Sequence, residues 1–370
     1  MFSAPRLDRW RTRLARTAVP LVAAVDRAGE THVTCTGGLT RDSIFRISSM
    51  TKPVTAVAAL CLVEDTVLRL DDPVDPWLPE LAGVPVLRSL SGLDTEPLAR
   101  PITVRDLMNS TFGHGQLLDG PDVYPVQALL ADAGFPVGPP RPDETHAPDE
   151  YMARLGSVPL MAQPGSRWFY NTAYDVLGIL VQRAAGASLG AFMRERVFDP
   201  LGMVDTGFSV DQADLPRLST SYLGDDVFDP PGGAWSRPPA LESGAGGLVS
   251  TVDDYLRFGR MLLAGGGDVL SPASVALMTS DQLTDEQKVD TGFLDFTAFT
   301  WGFGVSVVLR RTDVFMSPGR FGWDGGLGTS SRMDPELDVT TVLLTQHLWT
   351  SPAGPRLAHD ADVLAYGALA

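Results

Sequence analysis

The tetrapeptide Ser49-Met50-Thr51-Lys52 puts a hydroxyl nucleophile three residues before a lysine. A serine hydroxyl attacks a carbonyl carbon once a neighbouring base removes its proton, and lysine, unlike arginine, can lose its own proton and serve as that base. The chain holds two lysines, Lys52 and Lys288, against 27 arginines, so a lysine at this place stands out. Three residues is close to one helical turn, which would put both side chains on one side of a helix. Residues 44–47 read as a strand or approach segment, Pro53 suits a first helical turn, and residues 54–63 are an apolar run long enough for a buried helix. Ser49 is therefore expected at a helix N-terminus, whose positive end favours a developing alkoxide, and burial would lower the lysine pKa. A serine and a lysine three apart also occur in ordinary helix starts, so the remaining chain has to decide between the two readings.

At 370 residues, with 44% hydrophobic and 20% charged residues, the chain can bury a large core as one domain or two closely packed ones. A net charge of −16 argues against nucleic acid and against docking on anionic membrane. Two cysteines, Cys35 and Cys61, are too few for a disulfide framework or a thiolate metal cluster. The five histidines are scattered without ligand-like spacing, so neither a metal nor another cofactor is expected. Residues 1–16 carry five arginines and no apolar stretch of secretory length, and a cytoplasmic location is expected.

The elements that must position Ser49 follow from periodicity and breakers. A short helix is expected over 7–16, then strands over 20–25 and 31–36 joined by a turn at Ala28-Gly29. Prolines recur from Pro73 to Pro164, which predicts loops and short helices, one of them over 103–109 with Thr103 as cap and Asp106 three residues on. Further helices are expected after Asn171-Thr172 ending at Gly186, over 188–198, and after Ser250-Thr251 up to Gly265. Strands return over 300–309, 314–316, 328–333 and 339–345, followed by a last helix from Ala358. Strands at both ends and helices between them predict an α+β fold, with an antiparallel sheet built from both chain ends and a mostly helical inserted region.

Two more segments join the tetrapeptide. A turn delivers Tyr170 just before a helix cap in Tyr170-Asn171-Thr172, and the glycines of Trp323-Asp324-Gly325-Gly326 allow a strand edge to approach a ligand closely. With these on the page, the chain resembles the serine β-lactamase and penicillin-binding-protein superfamily, and within it the β-lactamase-like family VIII carboxylesterases. The likeness runs from about residue 44 to 346 and takes in Leu70-Asp71-Asp72-Pro73, Pro101-Ile102-Thr103-Val104-Arg105-Asp106-Leu107, Pro200-Leu201-Gly202-Met203 and Gly246-Gly247-Leu248, in the family's order.

The resemblance implies a β-lactamase/transpeptidase-like fold, with residues 1–70 and 235–370 forming a sheet domain, 71–234 a mostly helical one, and the active site between them. It implies Ser49 as the acylated nucleophile and Tyr170 as general base, with Lys52 either accepting the proton or holding Tyr170 ionised. The N–H groups of Ser49 and Gly326 would form the oxyanion hole, while Trp323, Gly325 and His114 would line the pocket. The sequence departs from the family at three places. The Y-x-N motif reads Tyr170-Asn171-Thr172, so the amide that contacts substrate is missing or shifted by one; aligning Phe169 and Asn171 instead is set aside because it removes the base. Trp323 replaces the cation that grips a β-lactam carboxylate, which favours neutral esters. The segment from Asn109 to His114 departs from the usual H-T-S-G loop. The expected activity is hydrolysis of small carboxylic esters. The alternatives are acyl transfer, weak β-lactamase or D-amino-acid peptidase activity, or a catalytically silent ligand-binding relative.

Overall fold

The structure is a computed structural model that describes residues 1–117, 123–135, 137–289, 292, 294–351 and 354–370. Its main sheet has seven antiparallel strands in the order Glu30–Cys35, Leu21–Arg27, Val339–Thr345, Thr329–Asp334, Phe321–Gly325, Ser306–Val308, Phe299–Trp301. The two N-terminal strands thus pair directly with the last C-terminal one, Leu21 opposite Thr345 and Arg27 opposite Val339. The α+β architecture with a sheet made from both chain ends is the one expected. The turn between the first two strands has Ala28 at φ 51° and Gly29 at φ 84°, the paired positive φ values that a tight two-residue hairpin needs.

Two strand expectations fail for local reasons. Residues 300–309 form a hairpin instead of one strand, because Gly304 at φ 75° turns the chain and a Cβ there would crowd the Lys52 carbonyl. Residues 314–316 lie in a turn, their apolar triplet packing Phe315 and Met316 beneath the last helix, Arg356–Gly367, without pairing. The helices fall close to expectation: Ala4–Leu14, Val104–Met108 with its Thr103/Asp106 capping box, Thr172–Ala185 ending at left-handed Gly186, and Val252–Leu263 capped by Thr251. The predicted 188–198 helix is an α segment, Leu189–Met193, continued by a wider π turn over Arg194–Phe198.

The helix that follows Ser49, Thr51–Glu64, is apolar on all sides, and residues 51–62 are all buried. A helix of that composition belongs in the middle of a core, not on a surface. Its neighbours come from both the sheet strands and the inserted helices, in one continuous apolar cluster that joins Val22 and Leu344 to Leu107, Leu177 and Phe258. Among the described residues no single helix is long and apolar enough to cross a membrane.

Candidate active site

Ser49 sits in a single 3₁₀ turn, Ser48–Met50, which runs straight into the buried helix. Ser48 before it is held at φ 47°, a conformation that costs a non-glycine residue energy and that recurs where a fold must aim a side chain. The turn is fixed from three sides. The Tyr255 hydroxyl donates to the Met50 carbonyl at 2.8 Å, the Leu248 N–H donates to Thr51 Oγ1 at 3.1 Å, and Thr329 Oγ1 donates to the Ile47 carbonyl at 3.0 Å. Ser49 itself remains partly exposed, as a group that must meet substrate has to be.

Lys52 is completely buried, yet its Nζ makes three polar contacts: Ser49 Oγ at 3.0 Å, Asn171 Oδ1 at 2.8 Å and the Ala245 carbonyl at 2.6 Å. Burial disfavours the ammonium and pulls the pKa down to about 7, against the negative charge of Asp175, which pushes it up. A neutral amine has two N–H donors and one lone pair. As the ammonium, Nζ donates all three bonds, Ser49 Oγ included; as the free amine it keeps its two donors on the carbonyl oxygens and turns a lone pair to the Ser49 hydroxyl. Nζ also lies 4.6 Å from the centre of the Tyr170 ring.

Tyr170 approaches from the turn that precedes the Thr172–Ala185 helix. Its hydroxyl is hydrogen-bonded to Ser49 and accepts from Trp323 Nε1 at 2.7 Å. Burial pushes the phenol up to about 12, while the Ser49 and Trp323 bonds pull the other way. Trp323 stands edge-on to Trp301 at 4.8 Å, and Trp301 to Trp168 at 5.4 Å, so an aromatic wall backs the hydroxyl. Trp301 is fully buried, and its packing supports the site.

Asn171 is the residue whose part was not legible. Its backbone lies at φ 80°, ψ −69°, and the Thr172 N–H reaches back to the Tyr170 carbonyl at 3.2 Å, which makes a strained three-residue γ-turn. That turn lets two consecutive side chains serve one site, Tyr170 at Ser49 and Asn171 at Lys52. The amide is therefore present but displaced by one position from Y-x-N, and it is occupied by the lysine. Two further groups escaped notice: the Ala245 carbonyl, a backbone atom with no sequence signature, and Asp175, an acid in the first turn of the Thr172–Ala185 helix.

Gly325 is present because nothing larger fits: a Cβ would overlap the Ile47 carbonyl oxygen and Thr329 Oγ1. This brings the end of the Phe321–Gly325 strand onto the turn that carries Ser49, and Gly326 follows it, exposed and facing open space. His114 does not join the others. It is 1% exposed, and no hydrogen bond among the described residues reaches either ring nitrogen. Burial pulls its pKa down to about 4, so it is a neutral, enclosed ring stacked towards Phe112 and not an open wall of the cleft. The structure thus unites Ser49, Lys52, Tyr170, Trp323 and Gly325 and adds Asn171 and Ala245, while the His114 ring is enclosed on the loop that pairs with Tyr170 through Gln116. No cluster of metal-ligating side chains occurs among the described residues.

The chain is similar to several known proteins. An uncharacterized protein of Mycobacterium tuberculosis is 40% identical over 349 residues, spanning 88% of this chain and 82% of the relative. Esterase EstB of Burkholderia gladioli is 32% identical over 374 residues, 92% of this chain and 89% of its own length. The solved structure of EstCE1, described as a hydrolase with promiscuous acyltransferase activity, superposes with a TM-score of 0.79 at 25% identity, covering 98% of this chain and 99% of that one. The Beta-lactamase family matches residues 10–365, nearly the whole chain. The chain belongs to the β-lactamase family of serine hydrolases, and its relatives there include esterases and acyltransferases.

Proposed function

We propose that this protein is a carboxylesterase that works through an acyl-enzyme on Ser49. The observation that carries the reading is the Lys52 environment: Nζ is buried between two carbonyl acceptors, 3.0 Å from Ser49 Oγ, and burial lowers its pKa to about 7, which brings the free amine within reach at neutral pH. Ser49 Oγ attacks the ester carbonyl carbon as its proton passes to Lys52 Nζ, and the oxyanion that forms is received by the N–H groups of Ser49 and Gly326. Collapse breaks the ester C–O bond. The leaving alkoxide takes the Tyr170 proton, Trp323 Nε1 steadies the phenolate, and the Lys52 ammonium returns the proton to Tyr170. Water then attacks the acyl carbon, and the same groups act in reverse to release the acid.

In this scheme Lys52 is the first base and Tyr170 the acid. The family resemblance leaves Lys52 or Tyr170 open as the first proton acceptor. Burial favours Lys52, because it raises the phenol, which then keeps its proton at neutral pH, and lowers the amine to about 7, which frees its lone pair.

Esters are preferred to β-lactams because the position of the carboxylate-gripping cation is Trp323, and an unpaired carboxylate against this aromatic wall would lose its solvation. The test compares p-nitrophenyl acetate and butyrate with nitrocefin and a D-alanyl peptide, each with and without an added alcohol. Short esters are expected to exceed nitrocefin in kcat/KM by about 10²-fold or more, since a buried site punishes an unpaired charge heavily. Faster turnover of nitrocefin or of the peptide would reverse the reading. An ester product found mostly on the added alcohol would make the protein an acyltransferase.

A further inference from the structure

Asp175 lies on the first turn of the Thr172–Ala185 helix, four residues beyond Asn171. Its Oδ1 accepts the Ser243 hydroxyl at 2.5 Å and the Ala245 N–H at 3.1 Å, and its Oδ2 has a long contact to the Tyr151 hydroxyl at 3.5 Å. The Ala245 peptide is thus clamped at both ends, its N–H on Asp175 and its carbonyl on Lys52. The loop around it is stitched to the nucleophile helix, with the Thr55 hydroxyl donating to the Gly244 carbonyl at 2.8 Å, and is closed by the Gly246 N–H on Ser243 Oγ at 3.1 Å. Gly244 is required for this fit, because a Cβ would overlap the Tyr174 carbonyl.

Resting on Lys52 as the base, we propose that Asp175 is a positioning residue with two separable effects. Its oxygen fixes the loop that presents the Ala245 carbonyl to Lys52, and its charge, held one peptide unit from Nζ across Ala245, favours a proton on Lys52. The first effect needs only an acceptor, which an asparagine oxygen would also supply. The second needs the carboxylate. The titratable groups facing Lys52 are Asp175 and Tyr170, and those facing Asp175 are Lys52 and Tyr151. Burial raises the Asp175 pKa, while its bonds to Ser243 and Ala245 and the charge on Lys52 lower it.

The scarcity of lysine makes a direct test available. Protein labelled with ¹³Cε-lysine gives two signals, Lys52 and Lys288. At Lys288 burial is outweighed by ion pairs to Asp281 and Asp285, which raise its pKa, so its signal titrates far above that of Lys52. In the wild type the Lys52 signal is expected to titrate near pH 7. In Asp175→Asn, loss of the negative charge disfavours the ammonium, and the midpoint is expected to fall by about one pH unit, taking the acid limb of kcat/KM with it. A midpoint unmoved in Asp175→Asn, or one that rises towards the value of an exposed lysine because the loop opens or the variant does not fold, would leave Asp175 as a structural anchor only and overturn the charge effect. A wild-type midpoint near the ordinary lysine value would overturn Lys52 as the base, and this proposal with it.

Discussion

Lys52→Met lowers kcat for p-nitrophenyl butyrate by about 10³-fold, in the range expected when a general base is removed from a nucleophile it contacts directly. Methionine has a similar reach and no charge, so the helix around it stays packed, but the Asn171 amide oxygen and the Ala245 carbonyl lose their common donor. The wild-type pH profile follows from the same atom. Lys52 acts only as the free amine, so activity falls as pH drops through about 7 and the lone pair is taken up by a proton. On the acid side kcat/KM declines about tenfold per pH unit, as for any single essential base. A Lys52→Met enzyme within a few-fold of wild type, or a wild-type profile flat from pH 6 to 8, would remove Lys52 from the proton path.

Tyr170→Phe separates acid from base. If the phenol delivers a proton to the departing alkoxide, the variant loses about 10²-fold on a methyl or ethyl ester, whose leaving group is strongly basic. It loses far less on a p-nitrophenyl ester, whose phenolate departs without a proton. Equal losses on both would make Tyr170 the base that deprotonates Ser49, a role that family resemblance leaves open to it. Full activity on both would remove Tyr170 from the chemistry and restore the alignment of Phe169 and Asn171. Because Trp323 Nε1 donates to this hydroxyl at 2.7 Å, the variant also leaves a buried N–H unpaired, so its thermal stability should be measured beside its rate.

The pairing of Ser49 with Lys52 was readable because it is local: about one turn of chain joins them, and a run of small and apolar residues buries the helix that Lys52 begins. The sheet was readable for a similar reason, since alternating and β-branched segments at both ends had to pair with something. What escaped was whatever depends on one dihedral or on the backbone alone. Asn171 reaches Lys52 only through a γ-turn at positive φ, which no periodicity predicts. Ala245 contributes a carbonyl oxygen, which every residue has. Asp175 is disguised by its place in a first turn, where acids are common for reasons of helix polarity. The burial of His114 was not legible either, because a loop position near a family motif says nothing about how the rest of the chain encloses the ring. The 300–309 strand broke at Gly304 because the hairpin must pass close to the backbone of Lys52, a tertiary demand that the local pattern does not contain.

The most direct test of the account is intact-protein mass spectrometry after incubation with a fluorophosphonate and with a p-nitrophenyl ester, on wild type and on Ser49→Ala. The account predicts one phosphonyl adduct and a burst of p-nitrophenol with wild type, and neither with Ser49→Ala. No adduct and no release from the wild type would contradict a nucleophilic Ser49 and leave a β-lactamase-fold protein that binds its ligand without turning it over, while an adduct that persists in Ser49→Ala would place the nucleophile elsewhere.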